Sequence, residues 1–174
     1  IVEAKGECKI DEIGYTDGLE PIQLGEKFFR AVVFSILDIG SAASSMGGAY
    51  VSVANDVSSA YWNPAGLAYI NSKQTMFMYQ PWIVGINNIY AGVAINYPLY
   101  GTLALTMNYM DYGDEAVTTV SSPEGTGEFY SASEFAASVS YGRRIVNWFS
   151  FGASAKYISS NIWHMSANAI AFDL

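Results

Sequence analysis

The stretch NNIYAGVAINYPLYGTLALTMNYM, Asn87 to Met110, repeats its hydrophobic residues with a period of two. In an extended chain successive side chains point to opposite faces. Ile89, Ala91, Val93, Ile95 and Tyr97 therefore share one face, and Asn88, Tyr90, Gly92, Ala94 and Asn96 share the other. After a tight turn from Pro98 to Gly101 the pattern resumes, with Leu103, Leu105, Met107 and Tyr109 set against Thr102, Ala104, Thr106 and Asn108. One face is greasy, and the other is polar or small. Such alternation fits any half-buried antiparallel sheet, so the flanking segments and their connections decide the architecture.

Outward from this stretch the period persists. Glu134 to Gly142 sets Phe135, Ala137, Val139 and Tyr141 against Glu134, Ala136, Ser138 and Ser140. Trp148 to Tyr157 sets Phe149, Phe151, Ala153, Ala155 and Tyr157 against Ser150, Gly152, Ser154 and Lys156. Met165 to Ala171 continues it, and Lys73 to Gln80 is the least regular segment. About six strands are thus expected after Lys73. Their connections alternate in length: a loop with Pro81, Trp82 and Gly85, the Pro98 turn, a long acidic loop from Gly113 to Ser133, and a short turn from Arg143 to Asn147. Outer-membrane barrels combine short periplasmic turns and longer external loops with aromatic girdles at both interfaces. Trp82, Tyr97, Tyr112, Tyr141, Trp148 and Trp163 fall near strand ends, where such girdles lie. The expected fold is all-β, an antiparallel transmembrane β-barrel.

Composition agrees. Hydrophobic residues make up 51% of the 174 and charged residues 14%, against roughly 25% charged in a soluble domain. No stretch makes a transmembrane helix, which needs about 20 mainly apolar residues. The charge-free run from Gln74 to Met110 is broken by Pro81, Pro98 and several asparagines and glycines. A net charge of −8 with eight Lys plus Arg excludes nucleic acid as a partner, because phosphate neutralisation needs a basic patch. Cys8 is the single cysteine, so no internal disulfide forms. The sequence starts at Ile1 without a clear secretory signal, although Lys27 and Arg30 before AVVFSIL resemble a stunted one. A processed or trimmed start is the expectation.

Ahead of the strands lies Gly40 to Ile70, GSAASSMGGAYVSVANDVSSAYWNPAGLAYI. Gly47 and Gly48 permit close backbone approach and positive φ. Ala49 to Ala54 is β-prone, and Asn55 and Asp56 suit the cap of a helical turn reaching Tyr61. Asn63 is a good N-cap and Pro64 suits the first helical position, where its missing N–H costs nothing. Ala65 and Gly66 continue that turn. Together these residues predict a compact plug containing short helices.

The run MGGAYVSVANDVSSAYWNPAGLA, Met46 to Ala68, resembles the amino-terminal signature of the PorV/PorQ family of outer-membrane β-barrels, which is related to the FadL-type channels for hydrophobic compounds. The step Asn63, Pro64, Ala65 is shared with both groups. PEGTGEFYSASEFAASVSYGRRI from Pro123, FSFGASAKYISSNIW from Phe149 and SANAIAFDL from Ser166 strengthen the PorV-like side. The resemblance spans about Phe34 to Leu174. It implies a barrel of about fourteen strands in the outer membrane of a two-membrane bacterium, with this chain covering the first part of it. The expected organisation is an unassigned extension over 1–33, a plug or hatch over 34–72 and an incomplete barrel of about six strands over 73–174. Phe28 to Ile39 reads as a short strand or an entry helix.

No enzyme constellation stands out, and no cofactor is expected. His164 is the single histidine, so a metal site has no second imidazole. Gly125, Thr126 and Gly127 lack the strand-to-helix context of a phosphate loop. Asp111, Asp114, Glu115, Glu124 and Glu128 cluster in and beside the long loop, but their spacing matches no calcium loop, and a solvated acidic loop is expected. Asp114, Glu115, Glu124 and Glu128 are candidate partner-binding positions. Lys156 is expected in the lumen, paired with Glu134.

The resemblance implies a non-catalytic component of protein export and surface attachment of the type IX secretion kind, in contact with outer-membrane lipid and with translocon or cargo proteins. A second reading is a FadL-like passive channel for hydrophobic small molecules, gated by Gly47, Gly48, Asn55, Asp56 and Asn63 to Gly66. A third is a structural outer-membrane or surface protein.

Overall fold

A computed structural model describes residues 5–9, 38–117, 127–163 and 165–174. The wall is an antiparallel meander of six strands: β2 (Gln74–Pro81), β3 (Asn87–Tyr97), β4 (Gly101–Ala116), β5 (Phe129–Val146), β6 (Phe149–Ile162) and β7 (Met165–Asp173). A short strand from the extension, β1 (Lys5–Lys9), pairs with β7, giving the order β1-β7-β6-β5-β4-β3-β2. Sequence patterning gave no hint of β1, because five residues without a period carry no local signal. The sheet is antiparallel throughout and not closed, so the fold is all-β and barrel-like. Among the described residues no helix is long and apolar enough to cross a membrane.

The register decides which face is which. One row crosses the sheet as Thr75, Val93, Leu105, Val139, Ala155 and Phe172, and the next as Phe77, Ala91, Met107, Ala137, Tyr157 and Ile170. These rows are exposed or half-buried throughout, none of their residues being fully buried: Phe77 is 73% accessible and Leu105 56%. The opposite face carries Asn88, Thr102, Asn108, Ser138 and Ser140, all buried. The polarity is therefore inverted relative to a soluble sheet, with apolar side chains outside and polar ones inside. A soluble monomer rarely exposes a contiguous apolar face over so many strands, whereas lipid is its natural solvent and the outward band of a membrane barrel has this character. β3 has 11 residues, and at a tilt near 45° and about 3.4 Å per residue it spans about 26 Å, close to the apolar band of such barrels.

Aromatic residues mark both rims. Tyr97, Tyr100, Trp148 and Phe149 are exposed at the short-turn end, and Trp82 and Trp163 at the other. Tyr141 points outward, and its hydroxyl donates to the Tyr100 carbonyl. Tyr112 departs from the girdle expectation. It has the parity of inward-facing Met110, and Gly113 (φ 75) forms a bulge after it. Its hydroxyl donates to Glu134 Oε2 at 3.1 Å.

Two connections are shorter than expected. β4 and β5 continue pairing beyond the bulge through Asp114–Ser131, Glu115–Tyr130 and Ala116–Phe129, and Val117 N donates to the Glu128 carbonyl. The two flanks of the expected Gly113 to Ser133 loop are thus paired strands, and residues 118–126 between them lie outside the described residues. Acidic residues depress strand propensity, yet paired backbone groups outweigh it here. β5 likewise runs through Arg143 and Arg144 to Val146, leaving Asn147 and Trp148 as the turn.

Against the polar face of the wall packs the segment expected from its sequence to form a plug. It consists of α1 (Ser41–Ser45), a series of turns, α2 (Ser59–Trp62) and a 3-10 helix (Pro64–Tyr69). Ala49 to Ala54 is not extended as its composition suggests. Gly47 (φ 61) and Gly48 (φ 80) reverse the chain, and Val53 N and Ala54 N both donate to the Tyr50 carbonyl. Tyr50 is pinned by its hydroxyl on Asp56 Oδ2 at 3.3 Å and by its ring edge-on to Trp62. Val57, Ala60, Leu67 and Ile70 form the core with wall residues Ala94 and Ala104, and Met76 packs against it. Of the remaining expectations, most of Phe28 to Ile39, together with Glu124, Gly125, Thr126 and His164, lies outside the described residues.

Candidate functional site

The plug meets the wall on a strip of glycines. Gly142 of β5 and Gly152 of β6 are direct register partners. A Cβ on Gly142 would stand 2.7 Å from both Leu67 Cβ and the Pro64 oxygen, and one on Gly152 would overlap Ala65 N and the Pro64 carbonyl carbon. Two side-chain-free positions side by side thus let the backbone of the 3-10 helix lie against the sheet. At Gly92 of β3 a Cβ would sit 2.7 Å from Val57 Cγ1. Within the plug, a Cβ on Gly66 would run into the Ala54 carbonyl.

Local chemistry shapes the segment that occupies this seat. Asn63 Oδ1 accepts from Ala65 N at 3.1 Å, while Asn63 Nδ2 donates to the Val51 carbonyl at 3.2 Å, tying the helix start to the preceding turns. Pro64 occupies the first helical position, buried. Asp56 Oδ1 accepts from Ser58 N at 2.9 Å and from Ser58 Oγ at 2.5 Å, so Asp56 fixes the approach to α2. Asn55 beside it is exposed. Ser58 is the residue that precedes α2, and its side chain makes no capping bond. Asn63, Pro64, Ala65 and Gly66 therefore come together at the seat. A Cβ on Gly47 would meet open space, and one on Gly48 would come 3.3 Å from Asp38 Oδ1.

Polar contacts lock the plug laterally. Tyr90 Oη donates to the Val57 carbonyl at 3.3 Å, and Trp62 Nε1 donates to the Ile39 carbonyl at 2.9 Å. The Arg144 guanidinium lies 4.6 Å from the Tyr69 ring centre, and Lys156 Nζ lies 5.6 Å from that of Tyr61. Burial, with Asp38 nearby, pushes the Tyr61 phenol up, so the ring faces Lys156 neutral and able to act as a π acceptor. Lys156 does not pair with Glu134. Its register partner on β5 is Ser138, and its ammonium lies 2.5 Å from Asp173 Oδ2 of β7. Glu134 instead accepts from Tyr112 and from Ser160 Oγ.

The acidic positions are spread along the hairpin. Asp114 and Glu115 lie in β4, Glu128 lies just before β5, and Asp114 and Glu128 are exposed. Among the described residues no group of acidic, histidine or cysteine side chains is arranged to hold a metal ion.

The family model described as "Type IX secretion system protein PorV" matches residues 25–172. The chain belongs to the PorV family. Neither a curated protein nor a solved structure matches it. The PorV match takes in the plug and the six-stranded wall, and makes this a type IX secretion-related outer-membrane protein. What sequence reading missed in this PorV-family chain is the seat itself. Gly142 and Gly152 sit on the small-residue face by parity, but only the cross-strand register makes them neighbours.

Proposed function

We propose that this protein is a non-catalytic component of protein export and surface attachment, which holds a rigid wall in the outer membrane and presents the β4–β5 hairpin to a translocon or cargo protein. The observation that carries this reading is the PorV family match over residues 25–172. The hairpin supports it, because β4 and β5 outrun the 11-residue span of β3, and Asp114 and Glu128 are exposed on that extension. Acidic residues exposed at such a tip favour encounter with basic partner surfaces.

The test is photo-crosslinking in native membranes. A benzophenone amino acid at Glu128 is expected to capture a secretion-system or cargo protein, and the same probe at Leu99, on the opposite rim, is expected not to. Equal capture from both rims, or none from the hairpin, would overturn the proposal.

A further inference from the structure

Between the plug and the hairpin end, the inner wall holds a set of buried amides with no hydrogen-bond partner. Asn88 is 0% and Asn108 4% accessible. Both polar atoms of each side chain, and Oε1 of Gln80, are buried and unbonded. The register brings the three together. Gln80 and Asn88 are direct partners across β2 and β3, and Asn108 lies two residues from Met110, the partner of Asn88 on β4. Direct pairs place Cβ atoms about 4.5–5.5 Å apart, and diagonal neighbours lie about 7–8 Å apart. Such gaps suit one oxygen making bonds of about 2.8–3.0 Å to each side. Buried amides are almost always satisfied, and those that are not call for an unseen partner.

We infer that Gln80, Asn88 and Asn108 form a binding site for an uncharged hydroxyl-bearing molecule, either ordered water or a small polyol. Each asparagine offers both a donor and an acceptor, which a hydroxyl group matches on both counts. No side chain of the three is charged. An acid on this face, Glu134, stands in the row of Met110 and Asn88; it disfavours anions, and it already accepts from Tyr112 and Ser160. Beside the asparagines the register sets Met110 opposite Asn88 and Tyr90 opposite Asn108, both buried, with the Tyr90 hydroxyl already bonded to the Val57 carbonyl. The inference is independent of the export reading, since it rests on the wall alone.

The test is a high-resolution structure of the full native chain in detergent, prepared once without polyol and once in glycerol, alongside an N88L/N108L variant. Discrete density bonded to Asn88 and Asn108 in both preparations assigns the ligand as water, and continuous density in glycerol alone assigns a polyol. Either result supports the site, and the double variant is expected to lose that density while keeping the wall. Amides that pair with each other or with another protein group, with no added density, would overturn it. As a second readout, glycerol raises the thermal midpoint of the wild type more than that of the variant if the polyol is the ligand.

Discussion

Replacing Gly152 with valine is expected to unseat the plug and to cost about 3 kcal/mol, at the upper end of what overpacking a close-packed contact costs. The reason is geometric. A Cβ at this position overlaps backbone atoms of Pro64 and Ala65, which cannot rotate away as a flexible side chain can. The helix start is also pinned from the far side, through Asn63 to the Val51 carbonyl and through Gly66 against the Ala54 carbonyl. The plug must therefore shift as a body, and the cation–π contacts of Arg144 with Tyr69 and Lys156 with Tyr61 shift with it. Thermal unfolding in detergent measures the loss. Ala155→Val on the exposed face of the same strand serves as control and is expected to change little. Gly142→Ala and Gly152→Ala should combine to less than the sum of their separate costs, because both press on Pro64 and one displacement relieves both. Additive costs would mean that the two glycines do not share a seat.

The second large effect lies on the outer face. Leu105→Arg is expected to cost about 2–4 kcal/mol and to reduce the folded fraction recovered in bilayers, because a guanidinium near the midplane of the lipid band lacks water. Leu105 pairs with Val93 near the middle of β3, in a row running from Thr75 to Phe172. Were this surface in water, the same change at a 56% accessible position would fall within about 0.5 kcal/mol. The gap between those two expectations makes the variant diagnostic of the solvent. Folded fraction is read by heat-modifiable gel mobility after refolding into vesicles.

Periodicity and capping translate well in this sequence, whereas local composition and non-local contacts do not. The faces of Asn87 to Tyr97 and Gly101 to Tyr109 were legible because a period of two leaves only one assignment of neighbours. The Asn63 cap was legible because donor and acceptor lie two residues apart. Ala49 to Ala54 misled because its β-prone composition was overridden by the chain reversal at Gly47 and Gly48 and by the tether of Tyr50 to Asp56. The acidic residues Asp114 and Glu115 suggest a loop, yet the backbone ladder continues through them. The partner of Lys156 was missed for a different reason. Glu134 and Lys156 lie on adjacent strands, but register sets Glu134 opposite Ser160, leaving Asp173 within reach from the other side. The glycine seat depends on register twice over, first between β5 and β6 and then between the sheet and the plug, so no single stretch announces it.

The central claim is that the apolar face of the wall meets lipid while the polar face meets the plug. Spin labels placed one at a time on Thr102 through Tyr109, in a Cys8→Ser chain reconstituted in bilayers, test it most directly through their collision rate with dissolved oxygen. The account predicts a period of two, with high oxygen accessibility at Leu103, Leu105, Met107 and Tyr109 and low accessibility at Thr102, Ala104, Thr106 and Asn108. An unbroken or reversed profile would contradict it.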